Sequence, residues 1–172
     1  MIPDLLHALR QGLLTEPAAP VHPEPALALA ERLEAAAQRR LGRSLALLHV
    51  ETGGCGGCAS ELRALDGVLH DLRRFGLEFV GTPRQADVLV VTGPLTRNAR
   101  EALTLAWRAM AEPKWVVALG GCAMNGGPFA GTYAVEGGVE AALPVDLVVG
   151  GCPPTPDAML SALRALLEAN TA

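Results

Sequence analysis

From Ser44 onward the chain repeats one pattern: a short aliphatic run, then a longer stretch with apolar residues at helical spacing. Leu45 to Val50, Leu77 to Val80, Ala86 to Thr92, Trp115 to Leu119 and Val145 to Val149 read as strands. Ser60 to Phe75, with Leu62, Leu65, Leu69 and Leu72 on one side, reads as a helix, as do Arg97 to Ala111 and Pro156 to Glu168. A strand with one wet face alternates apolar and polar residues, whereas near-continuous Val/Leu runs mean burial on both faces. Helices on both sides of a parallel sheet supply that burial. The expected class is therefore α/β, a flavodoxin-like doubly wound parallel sheet of five strands. Half of the 172 residues are hydrophobic but only 3% are aromatic, so Leu, Val and Ala must build the core.

Residues 1–43 break the pattern. Asp4 to Leu14 carries Leu5, Leu6, Leu9 and Leu13 as a short amphipathic stripe. Pro17, Pro20, Pro23 and Pro25 then form a stiff linker, and Leu27 to Leu41 reads as an Ala-rich helix with one apolar face. The division expected is an N-terminal helical, Pro-rich arm over 1–43 and a folded domain over 44–172. The arm either packs on its own domain or grips another subunit.

Acidic and basic residues number 18 and 14, a balance that argues against a nucleic-acid partner. The longest charge-free run, Trp115 to Val135, holds five glycines and a proline, so no membrane span is expected. The first residues lack the features of a secretory signal, so a cytoplasmic location is expected, where thiols stay reduced. Four cysteines in that setting read as metal or redox groups before disulfides.

Their positions sharpen this. Cys55 and Cys58 follow the first predicted strand, Cys122 follows Trp115 to Leu119, and Cys152 follows Val145 to Val149. All four then meet the sheet edge where doubly wound folds bind ligands. Glycine flanks each one, in Gly53-Gly54-Cys55-Gly56-Gly57-Cys58, Gly120-Gly121-Cys122 and Gly150-Gly151-Cys152. Glycine lets main-chain N–H groups approach a bulky anionic ligand, and an iron–sulfur cluster held by four thiolates is one. Zinc, which favours two closely spaced ligand pairs, and a thioredoxin-like CxxC dithiol are the rivals; the dithiol leaves Cys122 and Cys152 unexplained. A flavin module on the same sheet is a further alternative. No phosphate loop and no HExxH motif occur, and His7, His22, His49 and His70 are scattered, each read as a surface or core residue. Glu61, placed in the first turn of its helix, either complements the helix dipole or acts as a proton-transfer or cluster-tuning group.

Cys55-Gly56-Gly57-Cys58-Ala59-Ser60-Glu61, Gly121-Cys122-Ala123 and Gly151-Cys152-Pro153-Pro154-Thr155-Pro156 together resemble the small electron-transfer subunit shared by [NiFe] hydrogenases and respiratory complex I. The similarity runs from about Ser44 to Leu167. It implies one [4Fe–4S] cluster held by Cys55, Cys58, Cys122 and Cys152, with Glu61 at the interface with a large catalytic subunit. It also implies a two-cluster ferredoxin-like subunit that exchanges electrons with the centre, and membrane-embedded subunits that hold the complex at the inner face of the cell membrane. Such a chain is a subunit of an oxidoreductase and not catalytic alone. Complex I subunits have two adjacent cysteines where two residues separate Cys55 from Cys58, and typically an arginine where Thr155 stands. The twin-arginine leader and extra clusters of larger hydrogenase subunits are not seen here. The resemblance is thus closest to the one-cluster subunit of energy-converting hydrogenases and formate hydrogenlyase-type complexes. A complex I-like quinone reductase and a zinc or scaffold module are the alternatives.

Overall fold

The computed structural model describes residues 42–169; the arm assigned to 1–43 lies outside them apart from Gly42 and Arg43. In chain order the strands are β1 (Leu45–Glu51), β2 (Leu77–Phe79), β3 (Val88–Thr92), β4 (Leu95–Thr96), β5 (Trp115–Leu119), β6 (Val135–Gly137) and β7 (Leu147–Val149). The helices are α1 (Gly57–Ala64), α2 (Arg97–Ala109), α3 (Gly121–Asn125) and α4 (Pro156–Ala169). Five strands form one sheet in the order β2-β1-β3-β5-β7, all neighbours parallel. That is the flavodoxin-like doubly wound order, with its switch between β1 and β3.

Period-two alternation explains the unbroken aliphatic runs. On β3, Val88 and Val90 join one core while Leu89 and Val91 join another. On β5, Trp115, Val117 and Leu119 face the first core, and Val116 and Ala118 the second. The first core is closed by Leu62 of α1 and by Met159, Leu160 and Leu163 of α4. Leu103 of α2 and Ala123 of α3 close the second. The central strands β3 and β5 are therefore buried on both faces.

Several boundaries differ from the sequence reading. The helix expected over Ser60 to Phe75 starts earlier, at Gly57, and ends at Ala64; only a 3-10 turn follows, at Leu72–Phe75. Asp66 and Gly67 donate back to Arg63 and Ala64 carbonyls, closing the helix. The chain then loops out, leaving Val68 and Leu69 100% and 91% exposed, so Leu69 is not on the buried stripe. Leu72 returns to the core, and its N–H donates to the Leu65 carbonyl at 3.0 Å. Two strands begin two residues later than expected because carboxylates occupy the opposite edge of the sheet. Asp87 accepts the Ala46 N–H at 2.9 Å and holds Arg43 through both oxygens, and Asp146 accepts the Val116 N–H at 2.7 Å. The antiparallel β4–β6 pair and the short α3 were not foreseen.

Candidate metal centre

The C-terminal ends of β1, β5 and β7 each run directly into a cysteine turn. After β1, Thr52 is buried, and its N–H and hydroxyl both donate to the Thr92 carbonyl, at 2.9 and 3.1 Å. The Thr96 hydroxyl donates to the Thr52 carbonyl at 2.7 Å. These bonds tie the Cys55 loop to the end of β3. Cys58 then enters the first turn of α1. After β5, the Gly120 and Gly121 N–H groups donate to the Val149 and Gly151 carbonyls at 2.8 and 2.9 Å. The Cys122 turn is thus laced to the Cys152 turn, where the Cys152–Pro153 peptide is cis.

All four cysteines are free thiols; Cys122 is buried, Cys58 half-buried, and Cys55 and Cys152 exposed. Cys55, Cys58 and Cys122 line one cavity with Glu51, Thr92 and several glycines. The Cys152 turn lies alongside, tied by the Gly121 N–H to the Gly151 carbonyl. Burial pushes the Cys58 thiol up, and the charges of Cys152, Cys122 and Cys55 push it further. Burial likewise raises Cys122, followed by the charges of Cys152 and Cys55. Mutual repulsion of this kind disfavours several thiolates together unless a cationic group sits among them. Four thiols on neighbouring turns are the donor set an iron–sulfur cluster requires.

The backbone around the sulfurs is shaped to match. A Cβ on Gly120, whose φ is +91°, would lie 2.5 Å from Cys58 Sγ. One on Gly127, with φ +52°, would lie 2.8 Å from Cys122 Sγ. Any side chain at either place would displace a sulfur. Among the described residues no three His, Cys, Asp or Glu side chains gather tightly enough to hold a single metal ion.

Glu61 is the fifth residue of α1 and half-buried, and the first turn carries no acidic residue. Its assignment to the first turn is therefore corrected: α1 begins at Gly57, before Cys58, so the dipole reading of this carboxylate lapses. Sequence reading also passed over Glu51 and Thr92, which line the cysteine cavity. Their one signal is that they end otherwise aliphatic strands.

A family described as "NADH ubiquinone oxidoreductase, 20 Kd subunit" matches residues 55–166, about two thirds of the chain. The chain belongs to this family. It is 45% identical over 117 residues to an NADH-quinone oxidoreductase subunit of Geobacter sp. (strain M21), covering 68% of each chain. It is 40% identical over 128 residues to formate hydrogenlyase subunit 7 of Escherichia coli (strain K12), covering 74% of this chain and 50% of that one. Among solved structures it resembles a chain of the membrane-bound sulfane sulfur reductase, an archaeal respiratory membrane complex. That likeness has a TM-score of 0.66 at 30% identity, over 80% of this chain and 75% of the other. The α/β fold and the relation to both hydrogenase-type and complex I-type subunits agree with the sequence reading. No helix among the described residues is long and apolar enough to cross a membrane.

Proposed function

We propose that this chain is an electron-transfer subunit of a membrane-associated oxidoreductase complex, with one [4Fe–4S] cluster held by Cys55, Cys58, Cys122 and Cys152. One observation carries the reading: the turns after β1 and β5 bring Cys55, Cys58 and Cys122 to one cavity, the Cys152 turn is hydrogen-bonded beside them, and a Cβ on Gly120 or Gly127 would strike a cysteine sulfur. A cluster bound there supplies one-electron chemistry. The chain's own part is placement and tuning. Thr52 and Thr96 lock the first cysteine loop, and the Gly120 and Gly121 N–H groups lock the other two turns together. The sheet and α1 keep water from Cys122 and partly from Cys58, while Cys55 and Cys152 face outward. That open side is where a large catalytic subunit would close the site, as the relatives' membership of multisubunit complexes supports. A ferredoxin-like subunit would exchange electrons with it, and membrane-embedded subunits would hold the assembly at the cytoplasmic face of the membrane. The two-residue spacing of Cys55 and Cys58 favours a hydrogenase-type partner, and the similarity to the NADH-quinone oxidoreductase relatives keeps a quinone-reducing complex as the second reading.

The test is to purify the chain with its partners and substitute Cys122→Ser or Cys152→Ser. The expected result is an assembled complex with a lost or altered cluster spectrum by electron paramagnetic resonance and little electron transfer. A wild-type spectrum with full activity in either variant, or zinc without acid-labile sulfide in the wild type, overturns the proposal. The sequence of the co-purified large subunit separates the two readings: paired nickel-binding cysteine motifs mean hydrogenase.

A further inference from the structure

Gly53 and Gly54, the two residues before Cys55, lie flush on the turn that joins β3 to β4. Gly93 stands in that turn with φ +81°, and a Cβ built on it would land on the Gly53 carbonyl, 2.7 Å from the carbon and closer still to the oxygen. A Cβ on Gly54 would lie 3.1 Å from Pro94 Cδ, and one on Gly53 would lie 2.7 Å from Thr96 Cγ2. Two stretches of backbone meet here with no side chain between them, as only glycine permits. Gly93 and Pro94 are buried, and Gly93 lines the cavity of Cys55, Cys58 and Cys122.

The turn is anchored on several sides. The buried Thr52 hydroxyl reaches the Thr92 and Gly93 carbonyls, each at 3.1 Å. The Thr92 hydroxyl lies 2.9 Å from His49 Nε2 on β1. The Thr96 hydroxyl donates to the Thr52 carbonyl and accepts the Ala99 N–H of α2. The seat under the Cys55 loop is therefore built from β3, β4 and the start of α2. The other three sulfurs have a different support. Cys58 rides on α1 with its sulfur close to Gly120, and the Cys122 and Cys152 turns are laced to each other through the Gly120 and Gly121 N–H groups.

We infer that Gly93 is a positioning residue for Cys55: the glycine contact between the turn after β3 and the loop before Cys55 sets where that one sulfur stands, separately from the other three. The inference rests on the cluster reading above. Gly93 has no donor side chain and acts through Gly53. A methyl group at position 93 would force Gly53 off its seat. Cys55, two residues on, would be carried with it, while Cys58 stays fixed by α1, whose first turn is closed by the Ser60 N–H to the Gly56 carbonyl at 2.9 Å.

The full chain, loaded anaerobically with iron and sulfide, is treated with iodoacetamide, and the alkylated cysteines are located by peptide mass spectrometry. A thiolate bound to iron is not free to react as a nucleophile. The wild type should protect all four cysteines. Gly93→Ala should lose protection at Cys55 alone, and its electron paramagnetic resonance spectrum should match that of Cys55→Ser. Thr52→Val, which removes the hydroxyl but keeps the shape, should expose Cys55 in part, and Thr52→Ser should not. Gly81→Ala, at a glycine with open space around it, should leave all four protected. Full protection in Gly93→Ala, or equal loss at all four cysteines, overturns the positioning role while the cluster reading stands. If Gly93→Ala does not fold, the Thr52 pair decides, and full protection of Cys55 in Thr52→Val overturns the role. A wild type with no protected cysteine overturns the cluster reading and this inference with it.

Discussion

Cys58 and Cys122 are the residues at which the metal-free site works against itself. Their thiols are raised first by burial and then by neighbouring sulfurs, so the native chain keeps protons that the unfolded chain gives up sooner. Stability is then fully present below the ordinary thiol pKa of about 9 and is lost as pH climbs through the raised native values. The melting temperature of the metal-free protein should fall between about pH 8 and about pH 10, and the double substitution Cys58→Ser/Cys122→Ser should flatten that fall. Thermal melts across the series check it. At this scale the four cysteines were legible because each directly follows a glycine just past a strand end. His49 and Thr92 were not. Their contact joins residues 43 positions apart across two strands, and no spacing in the chain announces it.

At the scale of elements, α2 shows how little contact can seat a helix. Leu103 is its one buried residue, with Ala106 and Trp107 packed beside it, and the Thr96 hydroxyl accepts the Ala99 N–H at 3.3 Å as its N-terminal cap. Leu103→Ala should cost about 2–5 kcal/mol, the usual range for emptying a core leucine site. Urea denaturation monitored by circular dichroism would measure that cost, and a loss under 1 kcal/mol would contradict the packing described. The five sheet strands and α2 were legible to within about two residues, since burial on both faces writes itself as continuous Val and Leu. α1 was overextended because Leu62, Leu65, Leu69 and Leu72 fit a helical period that the turn at Asp66 and Gly67 interrupts. The β4–β6 pair escaped notice because two- and three-residue strands carry no periodicity of their own.

For the whole molecule, the two edges of the sheet have opposite characters. One edge is finished by Asp87 and Asp146, whose carboxylates satisfy backbone N–H groups directly. The other ends in three glycine-rich turns that a shared ligand would tie together. A ligand that binds only the folded state stabilises it, most of all where it contacts the chain. Loading with iron and sulfide should therefore slow amide exchange in 53–58, 120–127 and 150–153, and leave the Asp87 and Asp146 edge nearly unchanged. Hydrogen–deuterium exchange with mass spectrometry would reveal the asymmetry. Uniform protection over the chain would argue against a centre confined to that edge.

The sequence alone determined the class of fold, the strand-end address of the four cysteines and the family, because burial periodicity and glycine-flanked thiols are local signals that survive without a partner in space. Only the tertiary structure decided where α1 stops, that Glu61 lies past the first helical turn, and that Glu51, Thr92 and, behind them, His49 stand beside the thiols. Those facts depend on which strands become neighbours, and strand adjacency follows from the packing of both cores rather than from any one segment.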